Sequence, residues 1–314
     1  MAGLRQHVVW LLQYAALRVV QVLVQTVPLE SGLRAAQAAG TLLYWLDKRH
    51  RAVALENLRA SFPGAGQAAI ERTARRSFQY MIMQGVEFLY IPRTVRFGAF
   101  HRYVVPGPRM DEGMALLSAR RPCIVVGGHF GNWEITMGML AAAGYSPVSV
   151  GRPLDNPYLD RFVRRLREYP GQRIITKFGM TDEALGLLRS GALLGFPADQ
   201  DAGRRGFFVD FFGRKASAYK SIAYLALHEG AYIIVGGAYR LKGPRIRYVP
   251  TVTDIIDPSE YDRDAAGAWA ITQRYTAGLE RVIRMAPEQY LWVHRRWKTR
   301  PPATRNAERG TRNA

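Results

Sequence analysis

The sequence predicts an α/β fold in which a mixed, largely parallel sheet is flanked by helices and preceded by a helical, membrane-associated region. From about residue 102, short apolar runs alternate with segments whose apolar residues recur at helical intervals, a pattern typical of βαβ units. Before that point helical periodicity dominates. The strands are expected at 122–127, 146–151, 172–176, 192–197, 231–238 and 245–250. Helices are expected at 30–59, 67–91, 131–143, 156–168, 181–189, 217–229 and 263–286.

The N-terminal segment 8–29 is long and apolar enough to raise the question of membrane contact. Arg18, Gln21 and Gln25 interrupt it at spacings of three and four residues, which places them on one face of a helix. This pattern indicates an amphipathic anchor that lies in the membrane interface, with a core helix and a true span as alternatives. A short apolar region with a small-residue cleavage site is not evident, so a secretory signal peptide is not expected.

Three regions are predicted along the chain. Residues 1–100 form the helical region with its amphipathic anchor, 101–300 the α/β domain, and 301–314 a disordered basic tail. The tail is assigned from its sequence, RPPATRNAERGTRNA, which lacks a periodic apolar pattern. Because the chain has no internal repeat and no low-complexity linker, composition sets no sharp boundary between the first two regions.

The charge balance points to an anionic partner. The formal net charge is +19, and arginine is far more frequent than lysine among the 44 basic residues. Arginine suits bidentate recognition of phosphate and carboxylate, although a GC-rich genome also favours it. Nucleic acid, an anionic membrane surface, and a phosphorylated or acidic substrate are all compatible with this charge. A recognisable nucleic-acid-binding module is not found, so nucleic acid is not expected as a partner.

The sequence lacks the residues and motifs that several common types of catalytic or metal site require. The single Cys123 excludes both a disulfide framework and a cysteine-based zinc site, and it fits a reducing compartment. GxSxG, GxxxxGK[ST], GxGxxG and HExxH motifs are absent. A metal or bound cofactor is therefore not expected, and serine hydrolysis and P-loop nucleotide binding are disfavoured.

The stretch RPCIVVGGHFGNWEIT, residues 121–136, is the strongest candidate for a catalytic site. A buried strand ends at two glycines, His129 follows, and Glu134 lies five residues further on. The two side chains can meet if His129 lies in the turn and Glu134 in the first turns of the next helix. A carboxylate on one imidazole nitrogen would orient the ring as a general base, and the carboxyl end of a strand is where α/β sheets bind ligands.

The motif GGHFGNWE resembles the H-x4-(D/E) motif of the glycerolipid and lysophospholipid acyltransferases, in the form found in lipid A biosynthesis acyltransferases of the late, lauroyl/myristoyl type. Further stretches agree in order over roughly residues 5–300. They are NLRASFP (57–63), GRPLDNPYLDRFVRRLR (151–167), FPADQDAGRRGFFVDFFGRKAS (196–217) and PEQYLWVHRRWK (287–298). Several motifs in fixed order are far more specific than a single histidine.

The resemblance implies roles for individual residues. His129 would be the general base and Glu134 the acidic residue that orients it. Candidates for acyl-acceptor binding are Phe130 and Asn132 in the motif, Arg152 after the next strand, and Asp199 and Gln200 in the ADQD block. Asp199 could equally end its strand in an Asx turn. Oxyanion donors could be amides of the glycine-rich turn or Arg152. His294 is interpreted as structural, and Arg204, Arg205 and 164–167 as contacts for phosphates or an acidic carrier protein.

The function expected from the resemblance is acyl transfer from an acyl thioester to a hydroxyl of a glycolipid, a lipid A precursor in the leading hypothesis. The donor would be acyl carrier protein or acyl-CoA. The enzyme would act at the cytoplasmic face of a bacterial inner membrane, held there by its N-terminal segment. Alternatives are another glycolipid such as a phosphatidylinositol mannoside, a lysophospholipid, or a non-catalytic basic membrane-binding protein. Acyl chain length cannot be derived from the sequence.

Overall fold

The computed structural model describes residues 3–95, 100–176, 180–243 and 246–302. Its main sheet has six strands in the order β3-β2-β4-β1-β7-β8, and a separate hairpin pairs β5 with β6. The strands are β1 Cys123–Gly127, β2 Pro147–Gly151, β3 Arg173–Thr176, β4 Leu193–Pro197, β5 Phe207–Phe211, β6 Arg214–Ala218, β7 Tyr232–Arg240 and β8 Tyr248–Ile256.

All neighbouring strands of the main sheet run parallel except the edge strand β8, which pairs antiparallel with β7. The predicted α/β class with a mixed, largely parallel sheet is confirmed. The helices are α1 Leu4–Thr26, α2 Leu29–Leu46, α3 Lys48–Ser61, α4 Gln67–Leu89, α5 Ile91–Thr94, α6 Met110–Ser118, α7 Trp133–Ala142, α8 Pro157–Glu168, α9 Met180–Arg189, α10 Ser221–Glu229 and α11 Ala265–Met285.

The strand order determines which helices share a face of the sheet. The connections through α7 and α8 move towards the β3 edge, whereas those through α9 and α10 move towards the β8 edge. Because crossovers between parallel strands are right-handed, opposite directions of travel place the two pairs of helices on opposite faces. Consistent with this arrangement, α7 contacts α8, while α10 contacts α9 and α11.

Three sequence-based predictions differ from the structure. The single helix expected over 30–59 is two helices, because Asp47 interrupts it and accepts a hydrogen bond from the His50 amide at 3.0 Å as the cap of α3. The helix expected from 217 begins only at Ser221, since β6 extends to Ala218. The strand expected at 245–250 is β8, which begins at Tyr248, and residues 244–245 lie outside the described residues.

The β5–β6 hairpin was not predicted. Its two strands are joined by Phe212 and Gly213, both with positive φ, the geometry of the tight turns that match the twist of hairpin strands. A bulky Phe212 in this conformation is unusual, and the sequence therefore gives no turn signal there. The Phe212 ring packs edge-on against Trp292 at a centroid distance of 5.7 Å, so tertiary packing holds the turn.

The N-terminal helices and the sheet share one core. Tyr44 of α2, Leu58 of α3 and Phe78 of α4 belong to the same buried cluster as Ile124 of β1 and Val235 of β7. The boundary near residue 100 stays a prediction. Of the predicted disordered tail, 301–314, the structure describes only residues 301–302. The prediction for 303–314 lies outside the described residues.

Helix α1 directs polar groups towards the protein. The Gln25 side chain donates to the Leu89 carbonyl at 2.7 Å, and the Asn156 side chain donates to Gln13 at 2.9 Å. Arg18 lies over the Phe162 ring of α8. None of the α1 residues is buried, and most of its large apolar side chains are exposed, whereas Tyr14 and Leu17 are half-buried against Phe162 and its neighbours. In the described part of the chain, α1 is the helix that is long and apolar enough to cross a membrane by length and composition, with a mean hydropathy of 1.5.

A buried ion pair joins the helical region to the sheet. Glu87 of α4 and Arg240 of β7 lie 3.0 Å apart, with side chains 3% and 7% exposed. The second oxygen of Glu87 accepts a hydrogen bond from the Asn132 side chain at 2.8 Å, immediately before α7. The pair therefore connects α4, β7 and the start of α7.

We expect the Glu87→Ala substitution to lower the free energy of unfolding by about 3–5 kcal/mol, because it leaves the buried Arg240 cation without its partner. Thermal unfolding in detergent measures the effect. The matched control is Glu112→Ala, which breaks an exposed pair with Arg109 and should have a much smaller effect, because solvent screens that pair. Equal melting temperatures for the two variants would contradict the assignment of Glu87 as a structural anchor.

Candidate active site

The turn after β1 requires glycine at one position in particular. Gly131 has φ +57°, and a Cβ atom there would overlap the Ala238 carbonyl oxygen of β7. The Asn132 amide donates to that same carbonyl at 3.3 Å. The turn is therefore packed directly on β7, which fixes where the neighbouring His129 lies.

A C-terminal segment holds the other side of this turn. The Gly131 amide donates to the Gln289 carbonyl, and the Leu291 amide donates to the His129 carbonyl, both at 3.0 Å. Between these bonds Phe130 and Tyr290 form an isolated antiparallel bridge. The backbone on both sides of His129 is thus fixed before any ligand binds.

The carboxylate that orients His129 belongs to Asp199. One Asp199 oxygen lies 2.8 Å from His129 Nδ1, and the other accepts the His129 backbone amide at 2.8 Å. The structure therefore differs from the expectation that Glu134 orients His129. The carboxylate beside Nδ1 of His129 is that of Asp199. Asp199 lies two residues past β4, and its side chain is fully buried.

The Asp199–His129 contact shifts both titrations. Burial raises the pKa of Asp199, but the charge of His129 and two hydrogen bonds from it outweigh burial and hold this pKa at about 2. Burial lowers the pKa of His129, while the charge and hydrogen bond of Asp199, followed by the charge of Glu134, raise it above its ordinary value. An ionised Asp199 only accepts hydrogen bonds, so Nδ1 carries the proton and Nε2 of the neutral ring is the basic nitrogen.

Glu134 pairs with an arginine instead of the histidine. Its two oxygens accept from Arg167 Nε at 2.8 Å and Nη2 at 2.5 Å, a bidentate pair between α7 and α8. The Trp133 indole also donates to Glu134 at 3.2 Å. The sequence gives no sign that Arg167 pairs with Glu134, because the contact crosses from one helix to the next.

Two aromatic rings enclose the imidazole of His129. Trp133 and His294 each lie edge-on to it at a centroid distance of 4.8 Å. Burial and the charge of His129 lower the pKa of His294. The Asn57 side chain holds the His294 carbonyl at 2.9 Å. Sequence reasoning placed His294 outside the site because no acid–base partner lies near it along the chain, whereas the fold brings it beside His129.

A cavity of about 630 Å³ opens in front of His129, a volume typical of small-molecule sites. Its wall is formed mainly by apolar side chains from both halves of the sheet and from α6 and α7. They include Met110, Met114, Met137, Leu140, Phe196 and Ile234. The wall also includes the titratable or charged side chains of His129, Glu134, Arg152 and Arg167. A mainly apolar wall that carries these polar groups suits an acyl chain attached to a reactive carbonyl.

The residues predicted to bind the acceptor separate into two groups. Phe130, Arg152 and Gln200 line the cavity. Asn132 and Asp199 do not belong to its wall. Asn132 caps α7 by accepting a hydrogen bond from the Ile135 amide at 3.2 Å, and Asp199 contacts the Nδ1 atom of His129. Arg152 is largely exposed and pairs with Asp155 at 3.2 Å. Acceptor binding by these five residues stays a prediction.

Comparison with known proteins identifies the family of this chain. Residues 3–299 match the family described as bacterial lipid A biosynthesis acyltransferase. The chain belongs to that family. The Escherichia coli (strain K12) lipid A biosynthesis palmitoleoyltransferase is 27% identical over 267 residues, which cover 81% of this chain and 80% of the relative. The lauroyltransferase of the same strain is 24% identical over 270 residues, which cover 83% of each chain.

Membership of the lipid A acyltransferase family identifies the chain as an O-acyltransferase, as the motif resemblance predicted. A relative from Shigella flexneri, named a lipid A biosynthesis acyltransferase, is also 27% identical over 267 residues. The match includes the strand end with His129 as well as the C-terminal segment that holds the turn.

We expect Asp199→Asn to move the acid limb of the kcat/KM profile to lower pH, because loss of the carboxylate lowers the pKa of His129 and the unprotonated ring is the active form. The maximal rate should also fall, by about 10²–10⁴-fold, since the amide no longer fixes the tautomer or stabilises the imidazolium. Rates measured across pH test both effects. The control is Asp262→Asn, at an exposed carboxyl. A limb that stays at the wild-type pH would show that Asp199 does not control His129.

Proposed function

We propose that this O-acyltransferase moves an acyl chain from a thioester on an acyl carrier protein to a hydroxyl of a lipid A precursor, with His129 as general base. The observation that carries the proposal is the buried Asp199–His129 pair, which leaves Nε2 as the basic nitrogen of a histidine that lines a largely apolar cavity. The family match and the names of the relatives support the choice of acceptor.

The reaction needs one base and one leaving group. Nε2 of His129 removes the proton of the acceptor hydroxyl while its oxygen attacks the thioester carbonyl. The tetrahedral intermediate then expels the thiolate, which takes the proton back from the imidazolium, so an ester and a thiol are formed. Asp199 stabilises the imidazolium between these steps. Proton transfer and thiolate departure require no redox group, so the thioester and the acceptor are proposed as the only substrates.

A covalent acyl-enzyme is not part of the proposed route. Burial raises the pKa of the Cys123 thiol to about 11, and the side chain is 2% exposed within β1. A thiol in this setting is neither ionised nor accessible at neutral pH. Direct transfer from thioester to hydroxyl fits a site whose principal titratable group is a histidine.

The negative charge of the intermediate needs donors at the cavity mouth. Three amides of the glycine-rich turn, those of His129, Gly131 and Asn132, are already bound to Asp199, Gln289 and Ala238. Arg167 lines the cavity, and Glu134 binds its Nε and Nη2 but not Nη1. We assign the Glu134–Arg167 pair to anionic groups at the mouth, with Glu134 fixing the plane of the guanidinium.

We expect His129→Ala to reduce transfer by about 10²–10⁴-fold without unfolding the protein, because general-base catalysis contributes an effect of that size. Transfer of a labelled acyl chain from acyl carrier protein to purified lipid A precursors provides the measurement. The matched control is His228→Ala, at an exposed histidine on α10. Wild-type turnover by a folded His129→Ala protein would refute the mechanism. Transfer only to phosphatidylinositol mannoside or lysophospholipid would instead redirect the choice of acceptor.

The proposed location is the cytoplasmic face of the bacterial inner membrane. Exposed apolar side chains cover the outer side of α1, and Leu42, Trp45 and Leu46 extend the exposed apolar surface to the end of α2. The basic residues Lys48, Arg49 and Arg51 follow directly at the start of α3. An apolar face beside a basic segment is the pattern of proteins bound to anionic bilayers.

We expect the triple substitution Leu12→Gln, Val19→Gln and Leu23→Gln to weaken binding to anionic vesicles and to make the remaining binding salt-sensitive. The three side chains are exposed on α1, so their contact with lipid is the main interaction removed. Wild-type binding should persist in high salt, since apolar contact is screened far less than charge. Co-sedimentation measures both proteins. Trp269→Gln with Met285→Gln, at exposed sites on α11, is the control. Salt-sensitive release of the wild-type protein would refute an apolar anchor.

A further inference from the structure

Five exposed basic residues form a group beside the cavity. They come from three segments: the loop after β4, the junction between β6 and α10, and the C-terminal stretch. We call this group the rim cluster, and it consists of Arg204, Arg205, Lys220, Lys298 and Arg300.

Hydrogen bonds join the three segments of the rim cluster. The Thr299 hydroxyl donates to the Asp201 carboxylate at 2.8 Å. The Ser217 hydroxyl donates to the Gly203 carbonyl at 2.5 Å, and Arg296 donates to the Ser217 carbonyl at 2.5 Å. Residues from distant parts of the chain thus hold one surface together, and each segment brings at least one exposed cation to it.

Among the described residues, the charge of the rim cluster is left without a neutralising carboxylate partner. In the residues that the structure describes, none of the five cations forms an ion pair, whereas other arginines such as Arg189, Arg274 and Arg281 pair with carboxylates. Asp201 is the carboxylate inside this surface, and one of its oxygens accepts the Thr299 hydroxyl. A surface of this kind attracts an acidic partner over several ångströms.

The rim cluster adjoins the entrance to the active site. Gln200, Tyr219 and Ser221 line the cavity, and Lys220 lies between the last two in the chain. Gln200 follows Asp199, whose carboxylate binds His129. A flexible arm that starts from a protein bound on the rim cluster therefore reaches the catalytic histidine by passing Gln200.

The membrane helix lies on the other side of the sheet. α1 contacts α8, and Asn156 at the start of α8 donates to the Trp10 carbonyl at 3.0 Å. Lys220 immediately precedes α10, which the strand order places on the opposite face from α8. A lipid acceptor entering from the α1 side and a soluble donor on the α10 side can thus occupy the site together.

We propose that the rim cluster is the docking surface for an acidic carrier protein that delivers the acyl chain on a flexible thioester arm. The inference rests on the proposed function and adds where the donor binds. Exposed cations distributed over three segments suit a broad acidic surface, for which long-range attraction raises the association rate. A phosphate group binds best to a guanidinium whose orientation is fixed, such as that of Arg167, which Glu134 holds in place. The exposed cations of the rim cluster are not held in this way.

The test compares two acyl donors with the same chain. One is the acyl carrier protein thioester, and the other is acyl-pantetheine, an uncharged thioester that lacks the protein. The variant carries Arg204→Glu, Arg205→Glu and Lys298→Glu. The matched control carries Arg72→Glu, Arg75→Glu and Arg76→Glu, which make the same change in net charge at exposed positions of α4. Fluorescence anisotropy of a labelled carrier protein measures binding without turnover.

For the rim variant we expect KM for the carrier thioester to rise about tenfold or more, with kcat nearly unchanged, and carrier binding to weaken by a similar factor. Transfer from acyl-pantetheine should match that of the wild-type protein. The α4 control should behave as wild type with both donors. Raised ionic strength should increase the wild-type KM for the carrier and affect the rim variant less.

Three results would overturn the docking surface. The first is unchanged carrier binding and KM in the rim variant. The second is an equal loss with acyl-pantetheine or a raised KM for the lipid acceptor, which would assign the cations to the acceptor. The third is an equal loss in the α4 control, which would reflect net charge alone. Absence of transfer to any glycolipid by the wild-type protein would refute the proposed function separately, and anisotropy would still decide whether the rim cluster binds the carrier.

Discussion

The buried ion pair between Glu87 and Arg240 is the interaction on which the arrangement of this protein most depends. It lies where α4, β7 and the start of α7 meet, and its remaining oxygen binds Asn132, the cap of α7. A buried charge pair contributes little net stability, because desolvation of the charges offsets their attraction. It does disfavour alternative packings, since any packing that separates the two residues leaves a buried charge without its partner. The helical region that contacts α1 is thereby held in fixed relation to the turn that carries His129.

The contact between His129 and Asp199 arises from strand register. β1 and β4 are parallel neighbours in which Gly127 is opposite Pro197, and His129 and Asp199 each follow two residues later. Equal extension beyond paired strand ends places the two side chains next to each other. The C-terminal segment then closes the arrangement by binding the His129 carbonyl through Leu291 and placing His294 against the ring. A base with a fixed tautomer and a buried carboxylate is thus formed by backbone geometry more than by local sequence.

The charge and apolar patterns divide the surface into parts with different partners. α1 contacts α8 and the end of α4 both through hydrogen bonds of Gln13 and Gln25 and through packing of Tyr14 and Leu17. Most of its large apolar side chains are nevertheless exposed, and this apolar strip favours contact with a non-aqueous surface. The cavity in front of His129 combines a mainly apolar wall with the charged side chains of Arg152, Arg167 and Glu134.

The sequence by itself determined the α/β class, five of the main-sheet strands to within a few residues, and the position of His129 after a glycine-flanked strand end. These features depend on local periodicity and on turn residues, which are present in the sequence. It also supplied the family, because several motifs occur in a fixed order. Only the tertiary structure decided that Asp199 orients His129, that Glu134 binds Arg167, and that Phe212 forms a hairpin turn. Each of these depends on strand order, register or helix packing, and a contact between residues 70 positions apart, as for His129 and Asp199, leaves no periodic signal in the sequence.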